Sequence, residues 1–211
     1  MHKILENIAS YALTPVVTLN SATDAPFLCE ALTEGGLPVA EITFRTEAAG
    51  EAMRLARKTH PDILLGAGTI LSAEQARRAI DAGASFIISP GFSREVVEFC
   101  LKEGIPVIPG AITPTEIQYV IEYGLEVVKF FPAEQAGGLA MIKALAAPFP
   151  NIKFFPTGGI NAGNLLEYLS FDRVVACGGS WIVKDTLIGS GQFGAIRDLT
   201  REAVDLIKTW R

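Results

Sequence analysis

The stretch ILLGAGTILSAEQARRAIDAGASFIIS, residues 63–89, decides the fold. It opens with an almost unbroken apolar run at 63–67 and closes with a second at 85–89. Between them Ser72 stands three residues before Gln75, which is how a helix starts, and Gly83 stands where a left-handed cap ends one. A run with no polar alternation is a strand covered on both faces, and two such strands joined by a helix run parallel.

The same unit recurs in both directions. Apolar, β-branched runs at 15–18, 37–43, 63–67, 85–89, 105–109, 127–131, 152–157 and 174–177 make eight candidate strands, whose starts fall every 20 to 26 residues. Thr113 precedes Pro114 and stands three residues before Glu116, another helix start, and Gly35-Gly36, Gly104 and Gly124 sit at helix ends as Gly83 does. Eight such units are expected to close into a (β/α)8 TIM barrel, one domain over residues 1–211, with an N-terminal helix up to Tyr11 capping the barrel bottom. An open doubly wound sheet is the alternative. Its usual G-x-G-x-x-G turn after the first strand is replaced here by Thr18-Leu19-Asn20-Ser21.

Composition narrows the function classes. With 211 residues and 49% apolar composition the chain can bury one substantial core. Its net charge of −5, with Lys and Arg scattered, lacks the basic patch that holds a nucleic acid. Glu6 and Asn7 interrupt the N-terminus where a signal peptide needs apolar residues, and no run reaches the roughly 20 residues of a membrane span, so a cytoplasmic protein without a membrane partner is expected. Cys29, Cys100 and Cys177 form no C-x-x-C pair and read as buried reduced thiols, while His2 and His60 alone disfavour an imidazole metal site or a Ser-His triad.

In a barrel of this kind, chemistry is built at the C-terminal ends of the strands. Those ends carry Glu41, Thr43 and Arg45, then Thr69, Ser89-Pro90-Gly91, Lys129, Thr157-Gly158-Gly159 and Gly178-Gly179-Ser180. Lys129 lies in Val127-Val128-Lys129-Phe130-Phe131-Pro132, where desolvation penalises an ammonium and favours the neutral, nucleophilic amine. A strand-end lysine more often snorkels into water, and Glu41 with Arg45 could be a mere ion pair. Alternation along a strand, about 6.6 Å between every second residue, nevertheless puts Glu41, Thr43 and Arg45 on one face, where an acid and an anion clamp would share a cavity with Lys129. Glycine pairs at Gly158-Gly159 and Gly178-Gly179 follow the last two candidate strands, the common phosphate position of these barrels.

Taken together, Glu41-Ile42-Thr43-Phe44-Arg45-Thr46-Glu47, Gly66-Ala67-Gly68-Thr69, Ser89-Pro90-Gly91, Val128-Lys129-Phe130-Phe131-Pro132-Ala133-Glu134, Pro156-Thr157-Gly158-Gly159-Ile160 and Gly178-Gly179-Ser180-Trp181 resemble the 2-keto-3-deoxy-6-phosphogluconate (KDPG) aldolases, many of which also act on 4-hydroxy-2-oxoglutarate (KHG). The resemblance runs from about residue 15 to about residue 190, and its K-F-F-P-A-E block is its most specific part. It implies a (β/α)8 barrel, a homotrimer, no metal and no cofactor, and a small keto-acid phosphate as substrate. Lys129 would be the Schiff-base lysine and Glu41 the proton shuttle. Arg45 and Thr69 would contact the pyruvate carboxylate, Pro90, Phe131 and Thr157 would line the substrate pocket, and Gly158, Gly159, Gly179 and Ser180 would hold the phosphate. One departure is Thr18, where some members have a second proline; that strand borders the cavity and so bears on the breadth of substrates.

The activity implied is cleavage of KDPG to pyruvate and glyceraldehyde 3-phosphate, and of KHG to pyruvate and glyoxylate. A metal-dependent phosphosugar barrel and a catalytically silent phosphate-binding barrel are the rivals. The first needs carboxylates or histidines at several strand ends, where only Glu41 qualifies clearly. The second has no use for a matched acid and amine.

Overall fold

The computed structural model describes residues 2–210; Met1 and Arg211, the ends of the 1–211 span expected to form one domain, lie outside the described residues. Helix α1 (Lys3–Tyr11) leads into β1 (Leu13–Val17), α2 (Ala25–Glu34) and β2 (Val39–Thr43). These are followed by α3 (Ala49–Thr59), β3 (Leu64–Gly68), α4 (Ala73–Asp81), β4 (Phe86–Ile88), α5 (Arg94–Lys102), β5 (Val107–Ile108) and α6 (Pro114–Glu122). The chain ends with β6 (Val127–Phe130), α7 (Gly138–Ala146), β7 (Lys153–Pro156), α8 (Leu165–Leu169), β8 (Cys177–Gly179), α9 (Asp185–Gly189) and α10 (Phe193–Trp210). Among the described residues no helix is long and apolar enough to cross a membrane.

Every ladder is parallel. Six strands form a curled half-barrel sheet in the order β5-β4-β3-β2-β1-β8, and β6 pairs with β7. A doubly wound sheet reverses its strand order at a switch point; here the order runs unbroken from β5 to β1 and then meets the last strand. Isolated bridges pair Gly110 with Lys129, Phe154 with Val174 and Thr157 with Gly178.

The helix signals act largely as read. Ser72 accepts a hydrogen bond from the Gln75 N–H at 3.2 Å, although the Gln75 side chain answers at Leu71 rather than at Ser72. Thr113 and Glu116 form the full reciprocal capping box. Gly36, Gly83, Gly104 and Gly124 have positive φ, as left-handed caps require. Gly35 departs from that expectation: its φ is −72°. A Cβ there would fall 2.6 Å from Cβ of Thr200, so this glycine lets α10 approach α2.

The strands differ from expectation most at the two ends of the chain. β1 begins at Leu13 rather than at Pro15, because Leu13 already pairs with Cys177. β8 is Cys177–Gly179 rather than 174–177, so Gly178 and Gly179, expected to follow the strand, lie within it. The core has two parts. One packs the strands against the helices, and a smaller cluster joins Phe86, Ile88, Ile108, Val127, Phe155 and Ala176 to Ile8 of α1. Burying a ring such as Phe86 stabilises the fold by about 2–3 kcal/mol. Gly66 makes room for it, since a Cβ there would overlap that ring.

Candidate active site

β2 and β6 bring two oppositely charged side chains together among apolar neighbours. The Lys129 Nζ donates to Glu41 Oε1 at 3.0 Å, with the lysine 4% exposed and the glutamate 0%. These residues are 88 positions apart in the chain, so only the sheet brings them together. Gly68 accommodates the pair, because a Cβ there would lie 2.6 Å from the Glu41 Cδ. Glu41 Oε2 and Thr157 Oγ1 are buried with no hydrogen-bond partner among the described residues, which leaves an acceptor and a hydroxyl free for a reacting molecule. The ammonium also stands 5.5 Å from the centre of the Phe131 ring.

Beside this pair lies a cavity of about 270 Å³. Six of the residues anticipated from sequence line it: Arg45, Phe131, Thr157, Gly158, Gly159 and Ser180. Thr69 reaches it through Arg45, whose Nε donates to Thr69 Oγ1 at 3.1 Å. Thr69 holds a φ of 58°, an uncommon conformation for a β-branched residue and one that clusters at functional sites. Lys129, Glu41, Pro90 and Gly179 are not among the residues that line the cavity. The carbonyl of Pro90 packs against Gly110, and Gly179 makes room for the Trp181 ring.

Arg45 is positioned differently from the expectation. β2 ends at Thr43, and Arg45 sits in the turn beyond it, so its bond to Thr69 and not strand alternation fixes its direction. Thr43 does not join the site chemistry. Its hydroxyl donates to the Val17 carbonyl and meets Thr18 Oγ1, both at 3.0 Å. Gly178, read from sequence as part of a phosphate-position glycine pair, lines the cavity with Thr18, and sequence reasoning missed Val16, Ile160 and Asp185, which line it too. Strand alternation from Thr18 would have found Val16.

The turn at Gly158-Gly159 has the form of an anion cradle. The carbonyl of Thr157 accepts from Ala133 N–H at 2.8 Å, that of Gly158 from Glu134 N–H at 3.1 Å, and that of Gly159 from the side-chain amides of Asn161 and Asn164. A planar trans peptide points its N–H opposite to its carbonyl. The N–H groups of Gly158, Gly159 and Ile160 are therefore turned the other way, as in the nests that bind phosphates. Positive φ at both glycines, 100° and 81°, makes this possible.

A second cavity of about 370 Å³ lies between α1 and the starts of β5 and β6, lined by residues such as Leu5, Ile105 and Leu125, and shares no residue with the first. Thiol chemistry has no support either. Burial pushes Cys29 and Cys100 up to about 12, and raises Cys177 as well, so none is a thiolate at neutral pH.

A buried amine against a carboxylate, beside a cavity lined by an arginine and a glycine turn, defines a lysine-based type of site. The family model for KDPG and KHG aldolase matches residues 4–199, and the chain belongs to that family. It is 47% identical to the 2-dehydro-3-deoxy-phosphogluconate aldolase of Treponema pallidum over 98% of this chain and 99% of that one. It is 39% identical to the KHG/KDPG aldolase of Escherichia coli over 92% and 91% of the two chains. Among solved structures, the KDPG aldolase of Legionella pneumophila, with pyruvate captured at low pH as a covalent carbinolamine intermediate, superimposes with a TM-score of 0.91 at 40% identity, covering 94% of this chain and 97% of that one.

Proposed function

We propose that the chain is a class I aldolase that cleaves KDPG to pyruvate and glyceraldehyde 3-phosphate, and KHG to pyruvate and glyoxylate. The observation that carries this reading is the buried Lys129–Glu41 contact of 3.0 Å beside the cavity. Glu41 accepts a proton from the Lys129 ammonium, and the freed amine attacks the C2 ketone of the substrate. Glu41 returns that proton to the departing hydroxyl, so loss of water gives a protonated imine and restores the carboxylate, and the imine draws the electrons of the C3–C4 bond as that bond breaks. Glu41, directly or through one water, takes the proton of the C4 hydroxyl. The aldehyde leaves, the enamine is protonated at C3, and hydrolysis of the imine returns pyruvate and the free lysine.

Arg45, braced by Thr69, holds the substrate carboxylate, while Phe131 and Thr157 flank the reacting carbons. Gly158, Gly159 and Ser180 receive the phosphate, and Gly179 serves by placing Ser180. Pro90 acts from outside the cavity by shaping the wall at Gly110. The three isolated bridges support closure of the sheet and the β6–β7 pair into one eight-stranded (β/α)8 barrel, a single domain plugged at its base by Ile8 of α1. Exposed Leu71, Tyr119 and Ile121 offer apolar surface for a homotrimer, and three buried free thiols suit the cytoplasm.

Pyruvate release from KDPG, its galactose-derived epimer and KHG, measured side by side in excess chelator, tests the reading. Turnover of KDPG and KHG is expected. No turnover, or turnover lost to the chelator, would replace it with one of the rivals. Arg45→Lys is expected to raise KM about tenfold for both substrates, because a point charge does not replace a two-pronged guanidinium. An unchanged KM would remove Arg45 from the carboxylate.

The phosphate assignment is best probed at Ser180, which is exposed. Gly159→Asp is a poorer probe, since any Cβ there would fall 2.7 Å from the Glu134 Cβ. Ser180→Asp places a carboxylate beside the cradle, and kcat/KM for KDPG should drop at least tenfold. KHG, lacking the phosphate, should lose less. Equal losses would move the phosphate elsewhere.

A further inference from the structure

Behind the Gly158-Gly159 turn lies a pair of residues that the mechanism does not use. Tyr168 of α8 is 1% exposed, and its hydroxyl donates to Glu134 Oε1 in a short hydrogen bond. Glu134 stands in the turn after β6, donates its N–H to the Gly158 carbonyl at 3.1 Å, and lies directly beneath Gly159. Neither residue lines the cavity.

A carboxylate in that place has two possible partners. It can accept from Tyr168, or it can turn toward the cradle of backbone N–H groups, where it would compete with any incoming anion. We propose that Tyr168 and Glu134 are a positioning pair for the anion pocket: the tyrosine holds the Glu134 carboxylate behind the turn, keeping a fixed negative charge out of the pocket while the Glu134 N–H aims the cradle. This rests on the reading of that pocket as the phosphate site. Burial first, and the bond to Glu134 second, raise the Tyr168 hydroxyl above its usual range, so it stays a donor at any working pH.

The test uses the full-length enzyme as Tyr168→Phe, Glu134→Gln and the double variant. KM for KDPG and the inhibition constant of inorganic phosphate against KDPG are measured, with kcat/KM for KHG as the control. Tyr168→Phe should raise both phosphate-dependent constants about tenfold, the scale of one buried hydrogen bond to a charged group, and leave KHG turnover unchanged. Adding Glu134→Gln should restore most of the loss, because a neutral amide does not compete with an anion.

Unchanged constants in Tyr168→Phe overturn the pairing. So does an equal loss with KHG, or failure of Glu134→Gln to restore binding, since simple loosening of the turn would not be rescued by removing a charge. If phosphate does not inhibit the unaltered enzyme, the pocket assignment itself is wrong, a result distinct from all of these.

Discussion

Lys129→Arg is expected to reduce turnover of both substrates to background, because a guanidinium stays protonated and forms no imine. Arginine is preferred to alanine here. Removing the cation altogether would leave the Glu41 carboxylate buried and uncompensated, at a cost of about 3–5 kcal/mol, and would confuse unfolding with lost chemistry. The companion measurement is borohydride reduction of the unaltered enzyme in the presence of pyruvate, which traps an imine irreversibly. The reduced pyruvyl group should map to Lys129 alone. Lys102, Lys143 and Lys153 are all more exposed to solvent than Lys129. A label on any of them in place of Lys129 would defeat the assignment.

Glu41→Gln should lower kcat by about a hundredfold or more, the usual scale for a positioned acid-base group. The amide is nearly isosteric, so it fits over Gly68, where a Cβ would already crowd the Glu41 carboxyl. It can accept the Lys129 hydrogen bond but not its proton. Imine formation with pyruvate should therefore persist at a reduced rate, and cleavage should suffer more than trapping. A melting curve separates this from a stability effect. Near-normal turnover in folded protein would assign proton transfer to another group, the buried Thr157 hydroxyl being the alternative to examine.

Much of this protein is legible locally. The βα repeat, the capping at Ser72 and Thr113 and the left-handed glycines at helix ends all follow from short-range backbone rules, and they came out where expected. Errors arose where one residue type serves two purposes. Gly178-Gly179 read as a turn because glycine is rare in strands, yet both lie in β8. There they keep clear of Thr157 and of the Trp181 ring. Gly35 read as a left-handed cap; it does cap α2, but in the right-handed region, and its missing side chain serves the contact with Thr200 of α10. Such contacts join residues far apart in the chain, and no local pattern marks them.

The sequence by itself determined the parallel α/β architecture, the polar strand ends and the family, because hydrophobic period, turn chemistry and motif identity are properties of neighbouring residues. Only the tertiary structure decided the geometry of the site. It set Lys129 against Glu41 across 88 residues, turned Arg45 onto Thr69, brought Asp185 to the cavity and placed Glu134 behind the glycine turn under the hold of Tyr168. The physical reason is that strand register and packing fix distances between segments to within ångströms. The one-dimensional pattern specifies only which face each side chain occupies.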